Sequence, residues 1–371
     1  MTTASTANRR RKENYTTVRN WSELPDGPLH TILTCLCSFV DFISFSSVCR
    51  SWRALASSLS PSQITSRFPP LLFIASYTHE GRVSSCRVLD PASPSFSCSL
   101  DRICTYANFP FLVNLSSHGR FLLLVGRPEY YRYVILNPFT GEEIYSPIMP
   151  KDHTSFDDFY PTCLFYPTYL SFIDSVLLLF TDDTVFHWRI GSSSWSCHSL
   201  RIHPSDGEMV AIVNGTVYAM DFAGRLFVLD LSPELHLRQL AVDEIGVGGF
   251  SFLVDYGGEL LFLHLVSTEM MIGMQFEAFR LDLSANQARW VKMETLGNWA
   301  IFAGYSTQLQ GLAVENPERW GGRSNCLYFA TEVDDDRPWT VIKLGDEIDT
   351  DTMDPGLLPS NKMITWVYPG F

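Results

Sequence analysis

Two patterns of hydrophobic and polar positions divide this chain. From Trp21 to about Leu59, apolar residues recur at spacings of three and four, which is typical of short helices. Beyond about Ser66 the pattern changes to short apolar runs separated by Gly, Asp and Asn, which is typical of strands and turns. The sequence therefore predicts a small helical domain followed by a large domain of β-strands.

The first segment predicts three short helices. The first helix follows Leu24 and Pro25, and its apolar face is built from positions spaced at i, i+3, i+4 and i+7: Leu29, Ile32, Leu33 and Leu36. Asp41 is placed to cap the second helix, and Val48 and Trp52 repeat the helical spacing on the third. A module of about 40 residues is too small to bury all these side chains by itself. We therefore expect part of its apolar surface to dock on another surface.

Turn signals between apolar runs predict antiparallel hairpins. Val210 to Val213 and Thr216 to Met220 flank Asn214-Gly215, the dipeptide that best tolerates the positive φ angles of a type I′ turn. Tyr256-Gly257-Gly258 and Thr181-Asp182-Asp183 have similar surroundings. Each is expected to join two neighbouring strands.

These hairpins recur along the chain. Strand ends that lead into polar turns follow one another about every 40 to 60 residues, at Val88-Leu89-Asp90-Pro91, Ile135-Leu136-Asn137-Pro138, Trp188-Arg189-Ile190-Gly191, Val228-Leu229-Asp230-Leu231, Arg280-Leu281-Asp282-Leu283 and Ile342-Lys343-Leu344-Gly345. This spacing is close to that of four-stranded propeller blades, and six such units fit between Pro69 and the C-terminus. Radial closure leaves only short strand edges. We expect Met363 to Val367 to complete the first blade.

Composition and charge narrow the function classes. Of 371 residues, 46% are hydrophobic and 18% are charged, so a large core is expected and a wholly disordered chain is excluded. The net charge of −13 argues against nucleic-acid binding as the main activity. We interpret the basic run Arg9 to Lys12 as part of a flexible tail, and a nuclear-import signal is the alternative interpretation. No apolar run approaches the length of a membrane span.

The sequence carries no pattern of known catalytic or cofactor chemistry. The H-E-x-x-H, P-loop and G-x-S-x-G patterns are absent from the sequence. The chain has nine cysteines, without a C-x-x-C pair or a secretory signal, and we interpret them as reduced thiols. Asp152, His153, Asp157 and Asp158 read as solvated loop charges, and the acidic run Asp346 to Asp354 fails the calcium-loop pattern. We expect no catalytic residue, metal or cofactor.

The helical segment resembles the F-box. The resemblance rests on Trp21-Ser22-Glu23-Leu24-Pro25, on the apolar positions of the first helix, on Asp41 and on Val48-Cys49-Arg50-Ser51-Trp52-Arg53. The Leu-Pro opening and the Val-Cys-Arg-x-Trp-Arg ending are specific in combination. Pro28 departs from the pattern, because many F-boxes have a second leucine there. A proline is tolerated in the first turn of a helix.

The remainder is similar to plant F-box proteins with a C-terminal propeller of the kink-suppressed type, formerly a domain of unknown function. Matching stretches include Ser117 to Leu122, Leu136 to Gly141, Asn214 to Ala219, Phe252 to Asp255, Phe279 to Asp282 and Asn325 to Phe329. Together with the F-box, the resemblance covers nearly everything from Trp21 to Phe371.

The resemblance implies an α+β multidomain protein: a disordered basic tail (1–19), an all-α F-box module (20–59), a linker (60–68) and an all-β propeller of six blades (69–371). It implies a non-catalytic substrate-recognition subunit of a Skp-cullin-F-box ubiquitin ligase, located in the nucleus, the cytoplasm or both. The partners would be a Skp-type adaptor, through it a cullin, and an unknown protein substrate, with no membrane or nucleic acid.

The candidate adaptor-binding residues are Leu24, Pro25, Leu29, Ile32, Leu33, Leu36, Val48 and Trp52. For Val48 and Trp52, packing among the three helices is the alternative role.

Other readings stay open at this stage. Because Pro28 departs from the F-box pattern, an alternative hypothesis is a propeller scaffold that sequesters its partner without assembling a ligase. A propeller hydrolase would need carboxylates that converge at the centre of the ring. Loops Pro150 to Pro167 and Glu315 to Asn325, the latter with Trp320, are candidate substrate contacts, but their aromatic residues suit packing between blades equally well, so no substrate-binding residue is assigned.

Overall fold

The structure is a computed structural model of the whole chain. It describes residues 21–78, 83–99, 112–114, 121–125, 132–137, 139, 141–150, 162–167, 175–180, 184–199, 208–221, 223–230, 236–243, 245–247, 251–267, 273–284, 287–304, 311–330, 338–346, 348–349 and 362–368. The predicted basic tail and most of loop Pro150 to Pro167 lie outside these residues. The chain divides into two compact units, a helical unit (Met1–Leu36 and Asp41–Leu59) and a sheet unit (Cys37–Val40 and Ser60–Phe371).

The helical unit contains the three helices that the apolar spacing predicted. Its elements are a 3-10 helix (Trp21–Glu23), α1 (Asp26–Cys35), α2 (Phe39–Ser47) and α3 (Arg50–Ala56). The first two residues of α2 belong to the sheet unit, as does the short α4 (Pro61–Thr65). Pro25 precedes α1 in an extended conformation, and Pro28 lies in its first turn. Backbone N–H groups of the first turn have no partner within the helix, so Pro28 leaves α1 intact.

The interior of the helical unit is formed by one face of each helix. Leu29 and Leu33 of α1 are fully buried. The rings of Phe45 in α2 and Trp52 in α3 pack with their centroids 4.6 Å apart. The indole Nε1 of Trp52 donates a hydrogen bond of 3.1 Å to the carbonyl oxygen of Trp21, which ties the 3-10 helix to α3.

The sheet unit is built from β-strands. In chain order they are β1 (Leu71–Tyr77), β2 (Val83–Asp90), β3 (Ser93–Ser99), β4 (Leu112–Asn114), β5 (Phe121–Val125), β6 (Arg132–Leu136), β7 (Glu143–Tyr145), β8 (Thr162–Pro167), β9 (Ser175–Phe180), β10 (Thr184–Arg189), β11 (Ser196–Ser199), β12 (Glu208–Val213), β13 (Thr216–Asp221), β14 (Leu226–Asp230), β15 (His236–Leu240), β16 (Ser251–Tyr256), β17 (Glu259–Ser267), β18 (Gly273–Asp282), β19 (Arg289–Lys292), β20 (Trp299–Gly304), β21 (Leu312–Glu315), β22 (Cys326–Ala330), β23 (Trp339–Lys343), β24 (Ile348–Asp349) and β25 (Lys362–Val367).

The strands form consecutive sheets, which we number along the chain. Their orders are β25-β1-β2-β3 (sheet 1), β4-β5-β6-β7 (sheet 2), β11-β10-β9-β8 (sheet 3), β12-β13-β14-β15 (sheet 4), β16-β17-β18-β19 with β24 beside β18 (sheet 5) and β21-β20-β22-β23 (sheet 6). As predicted, the C-terminal strand joins the first sheet: β25 pairs antiparallel with β1, from Leu71 opposite Val367 to Ser76 opposite Lys362.

The prediction of six propeller blades is wrong. Among the described residues, sheets 1 to 5 have the antiparallel order of a blade, which gives five regular blades. In sheet 6, β20 and β22 run parallel to each other, and β21 lies on the other side of β20. A parallel pair needs a crossover connection, which here includes β21 and a 3-10 helix (Pro317–Trp320). The spacing of the repeats indicates how many apolar runs the chain has, but it does not reveal the order of the strands within a sheet. The parallel pair in sheet 6 was therefore not predicted from the sequence.

The core lies between the faces of neighbouring sheets. Phe252 and Leu263 of sheet 5 pack with Phe329 of sheet 6. Another cluster joins sheet 6 to sheet 1, where the indole Nε1 of Trp366 donates to the carbonyl oxygen of Ala303 at 2.9 Å. Comparable clusters join sheets 2 and 3, sheets 3 and 4, and sheets 4 and 5. Burial between successive sheets is the packing expected of a propeller.

Candidate functional site

The eight predicted adaptor-binding residues differ in their exposure. Buried among them are Leu29, Leu33 and Trp52; half-buried are Leu24, Ile32 and Leu36; exposed are Pro25 and Val48. The buried three are not accessible to a partner in this conformation, whereas the other five are accessible at least in part. Their contact with an adaptor stays a prediction.

Two exposed apolar side chains of the helical unit were not among the predicted residues. Trp21 is 60% exposed and Ile43 is 44% exposed, against 51% for Val48, so all three are unusually accessible for their type. Ile43 lies on α2 between the buried Phe42 and Phe45, and neighbouring residues on a helix face different directions. The position of Ile43 between these two buried residues is the sequence signal that would have identified it as an exposed side chain.

We refer to Trp21, Leu24, Pro25, Ile43 and Val48 as the apolar surface of the helical unit. Hydrogen bonds hold its first part in place against α3. The carbonyl oxygen of Trp21 accepts from both the backbone N–H of Leu24 (3.3 Å) and the indole of Trp52. The hydroxyl of Ser51 donates to the carbonyl oxygen of Ser22 at 3.5 Å. The 3-10 helix before α1 is therefore fixed by α3 as well as by its own backbone.

The helical unit also exposes polar and charged residues. Glu23, Asp26, Asp41 and Arg50 are exposed, and the Sγ of Cys49 lies 3.1 Å from the hydroxyl of Ser51. That hydrogen bond lowers the pKa of the Cys49 thiol. Exposed apolar side chains together with polar ones are the usual composition of a protein–protein interface.

In loop Glu315 to Asn325, Trp320 points into the protein. It is 7% exposed and packs against Phe302 and Tyr328, with ring centroids 6.0 and 5.6 Å apart. The exposed side chains of the 3-10 helix are Glu318 and Arg319. Trp320 therefore belongs to the core around sheet 6, which was one of the two roles that the sequence left open.

The described residues contain no group of three or more His, Cys, Asp or Glu side chains placed to hold a metal ion. The cluster from Asp152 to Asp158 lies outside the described residues, as do Asp351 and Asp354. Within the described part of the chain, each helix is too short or too polar to cross a membrane.

Comparison with protein families matches both parts of the chain. Residues 21–60 match the F-box-like family, and residues 95–362 match the family described as KIB1-4 beta-propeller. The second match covers well over half of the sequence. The chain belongs to the KIB1-4 beta-propeller family. An F-box followed by a KIB1-4 propeller is the organisation that the sequence resemblance implied, and it indicates a receptor of the ubiquitin-ligase type.

Curated relatives agree with this assignment. The chain is 24% identical to an F-box/kelch-repeat protein of Arabidopsis thaliana, over 88% of this chain and 83% of the relative. It is 25% identical to an F-box protein of the same plant, over 84% of each chain. These matches support a plant F-box protein with a C-terminal propeller.

Among solved structures, the chain is similar to TolB from Acinetobacter baumannii, with 8% identity and a TM-score of 0.42. The match covers 72% of this chain and 65% of TolB. A similarity this low supports no conclusion about function.

Proposed function

We propose that this protein is the substrate-recognition subunit of a Skp-cullin-F-box ubiquitin ligase. Its F-box would dock on a Skp-type adaptor, which links it to a cullin, while the propeller binds a protein substrate. The protein itself would be non-catalytic, because a receptor of this kind contributes proximity between the substrate and a conjugating enzyme. It would work in the nucleus, the cytoplasm or both.

The observation that carries this proposal is the apolar surface of the helical unit. Trp21, Ile43 and Val48 expose between 44% and 60% of their surface, although water contact of large apolar side chains is unfavourable. Large exposed apolar side chains on so small a module are suited to contact with a partner protein. The Leu24-Pro25 turn is the F-box element expected to contact the adaptor, and the backbone N–H of Leu24 donates to the carbonyl oxygen of Trp21 at 3.3 Å, which holds the turn against the 3-10 helix.

Co-purification with a Skp-type adaptor tests the proposal. We expect the native chain to bind the adaptor and the Leu24→Ala, Pro25→Ala double variant to bind at least 30-fold more weakly. Loss of an interface anchor typically costs about 2 to 4 kcal/mol, which corresponds to roughly 30- to 1,000-fold in affinity. Leu283→Ala is the matched control, because Leu283 is 55% exposed but belongs to the sheet unit.

The outcome also separates the alternative function. If the native chain binds no adaptor, the protein acts as a scaffold that sequesters its partner, and the proposal fails. Because Pro28 fits the first turn of α1, it does not prevent the helix from presenting its apolar residues. We therefore expect Pro28→Leu to change adaptor affinity by no more than about twofold, within the ±0.5 kcal/mol typical of surface substitutions.

The substrate can be sought by proximity labelling with the full chain as bait, with and without proteasome inhibition. A substrate should accumulate among the labelled proteins only when degradation is blocked. The Leu24→Ala, Pro25→Ala variant serves as control, because it should label the same protein without promoting its degradation. Equal labelling under all conditions would favour sequestration.

A further inference from the structure

Lysine is scarce in this chain. Of its 27 basic residues, 22 are arginines and five are lysines: Lys12, Lys151, Lys292, Lys343 and Lys362. Lysine is normally among the commonest residues of soluble proteins. Residues 13–150 and 152–291 contain no lysine, although they include helices α1 to α4 and sheets 2, 3 and 4. The chain therefore carries its positive charge almost entirely as arginine.

Arginine and lysine carry the same charge but differ in their reaction with ubiquitin. A ubiquitin ligase promotes the transfer of ubiquitin to a lysine amine. The deprotonated Nζ attacks the carbonyl carbon of the thioester that joins the C-terminus of ubiquitin to a cysteine of the conjugating enzyme. A C–N bond forms, the C–S bond breaks, and the second proton that Nζ loses leaves with the enzyme's thiol. An arginine guanidinium stays protonated and has no lone pair for this attack.

The difference matters for a receptor that is itself part of a ligase. This role depends on the proposed function, because a receptor bound to an adaptor and a cullin is held close to the conjugating enzyme. Proximity of that kind raises the effective concentration of every accessible amine on the receptor. Lysines of the receptor would then compete with those of the substrate for ubiquitin. An arginine-rich surface keeps the charge without offering these acceptors.

The three lysines in the described part of the chain differ in accessibility. Lys292 ends β19 and its side chain is 52% exposed, but its Nζ forms an ion pair with Glu277. The same carboxylate lies 3.2 Å from the Nε2 of His264. Lys362 is half-buried in β25. Lys343 ends β23, the outer strand of sheet 6; it is exposed, and none of the ion pairs between described residues includes it.

We propose that Lys343 is the main ubiquitin acceptor among the described lysines, and that the scarcity of lysine elsewhere protects this receptor from its own ligase. Lys343 lies at the end of an outer strand, so its amine can be reached without unfolding of the sheet. At Lys292 the ion pair with Glu277 has to open first. Exposed ion pairs are weak, so we expect Lys343 to be preferred over Lys292 by about two- to fivefold.

A reconstituted ligase tests the site. It contains the full chain, a Skp-type adaptor, a cullin and a conjugating enzyme charged with ubiquitin, and peptide mapping locates the modified lysines. We expect Lys343→Arg to remove at least half of the ubiquitin that the described lysines carry, and the matched control Lys292→Arg to remove less. If the native chain binds the adaptor but Lys343 is not modified, this site is overturned while the proposed function stands. If the native chain binds no adaptor, both are overturned.

Adding lysines tests whether their scarcity is protective. Three arginines of the sheet unit are exposed and can be replaced together without a change of charge: Arg189→Lys, Arg238→Lys and Arg319→Lys. This variant should carry at least twice as much ubiquitin per receptor as the native chain. The same positions changed to Gln are the matched control, because they alter the surface without adding an amine. An unchanged level in the lysine variant would show that scarcity of lysine does not limit self-modification.

A third measurement needs neither a variant nor a ligase. An N-hydroxysuccinimide ester of acetic acid acylates free amines by the same attack of Nζ on an activated carbonyl. In the native chain, Lys343 should react about two- to fivefold faster than Lys292, because only Lys292 is held by a carboxylate. Equal rates at the two lysines would overturn the preference for Lys343.

Discussion

At the scale of single residues, side-chain oxygens stabilise the recurring turns. The Oδ1 atoms of Asp90, Asn137 and Asp282 each accept a hydrogen bond from the backbone N–H two residues later, at 2.9, 3.0 and 2.9 Å. This is an Asx-turn, in which a short polar side chain replaces part of a backbone turn. It explains why an apolar strand end followed by Asp or Asn recurs along the chain.

Replacing Asn137 tests this role. Asn137 is 2% exposed, so Asn137→Ala would leave the half-buried N–H of Phe139 without its acceptor and should cost about 1 to 3 kcal/mol of unfolding free energy. Asn137→Asp keeps the accepting oxygen, as Asp90 and Asp282 do, but places a carboxyl group at a buried position, so at a pH low enough to protonate that carboxyl it should cost clearly less. The measurement is the urea unfolding midpoint of the two variants. Equal midpoints would mean that the side-chain hydrogen bond does not stabilise the turn.

Two tryptophans of the helical unit should respond oppositely to substitution. Trp52 is 8% exposed and packs on Phe45, so Trp52→Ala should destabilise the helices by about 3 to 5 kcal/mol. Trp21 is 60% exposed, so Trp21→Ala should change stability by less than about 0.5 kcal/mol. We expect Trp21→Ala to weaken adaptor binding nevertheless.

Hydrogen exchange of α1 to α3 measures the stability effect, and adaptor affinity is measured separately. Trp52→Phe is a control that keeps the ring packing and removes the hydrogen bond to the carbonyl oxygen of Trp21. Faster exchange in Trp21→Ala than in Trp52→Ala would reverse the assignment of the two side chains.

At the scale of elements, the sequence predicted those features that depend only on neighbouring residues in the chain, such as tight turns. Asn214 and Gly215 have φ angles of 48° and 79° and join β12 to β13, as their sequence predicted. The order of β20, β21 and β22 was not predictable from the sequence, because it depends on whether β21 and β22 pair with the same edge or with opposite edges of β20. Likewise, helical spacing identified Leu29 and Leu33 but could not separate them, as buried residues, from the exposed Val48.

The irregular order of sheet 6 brings β21 close to β16. The backbone N–H of Gly311 donates to the carbonyl oxygen of Leu253 at 3.2 Å, and a Cβ added at Gly311 would lie 2.6 Å from a methyl group of Val254. Gly311→Ala should therefore force the strands apart and cost about 1 to 3 kcal/mol, as overpacking usually does. Gly246→Ala is the matched control, since nothing lies within 4 Å of its added Cβ.

Urea unfolding of both glycine variants measures this effect. The Gly311→Ala midpoint should fall, and that of Gly246→Ala should stay near the native value. If both variants unfold like the native chain, β16 and β21 tolerate a wider spacing than the structure shows.

At the scale of the whole molecule, the C-terminal strand decides whether the sheet unit closes. β25 lies beside β1 although nearly 300 residues separate them in sequence. Trp366 connects this sheet to sheet 6, since its ring packs edge-on against Phe302 with centroids 4.9 Å apart. The cores at the two ends of the chain are therefore stabilised together, and neither is complete without β25.

Deleting Lys362 to Phe371 should therefore abolish cooperative unfolding of the sheet unit. The deletion exposes an edge of β1 and the apolar faces that Ile364 and Trp366 cover, both of which are less than 10% exposed. Trp366→Ala should give a graded effect of about 3 to 5 kcal/mol, and Trp366→Phe a smaller one, because the ring still packs on Phe302. Differential scanning calorimetry distinguishes loss of the transition from a shifted midpoint. An unchanged transition in the deletion variant would show that the sheets close through contacts other than the β1–β25 pair.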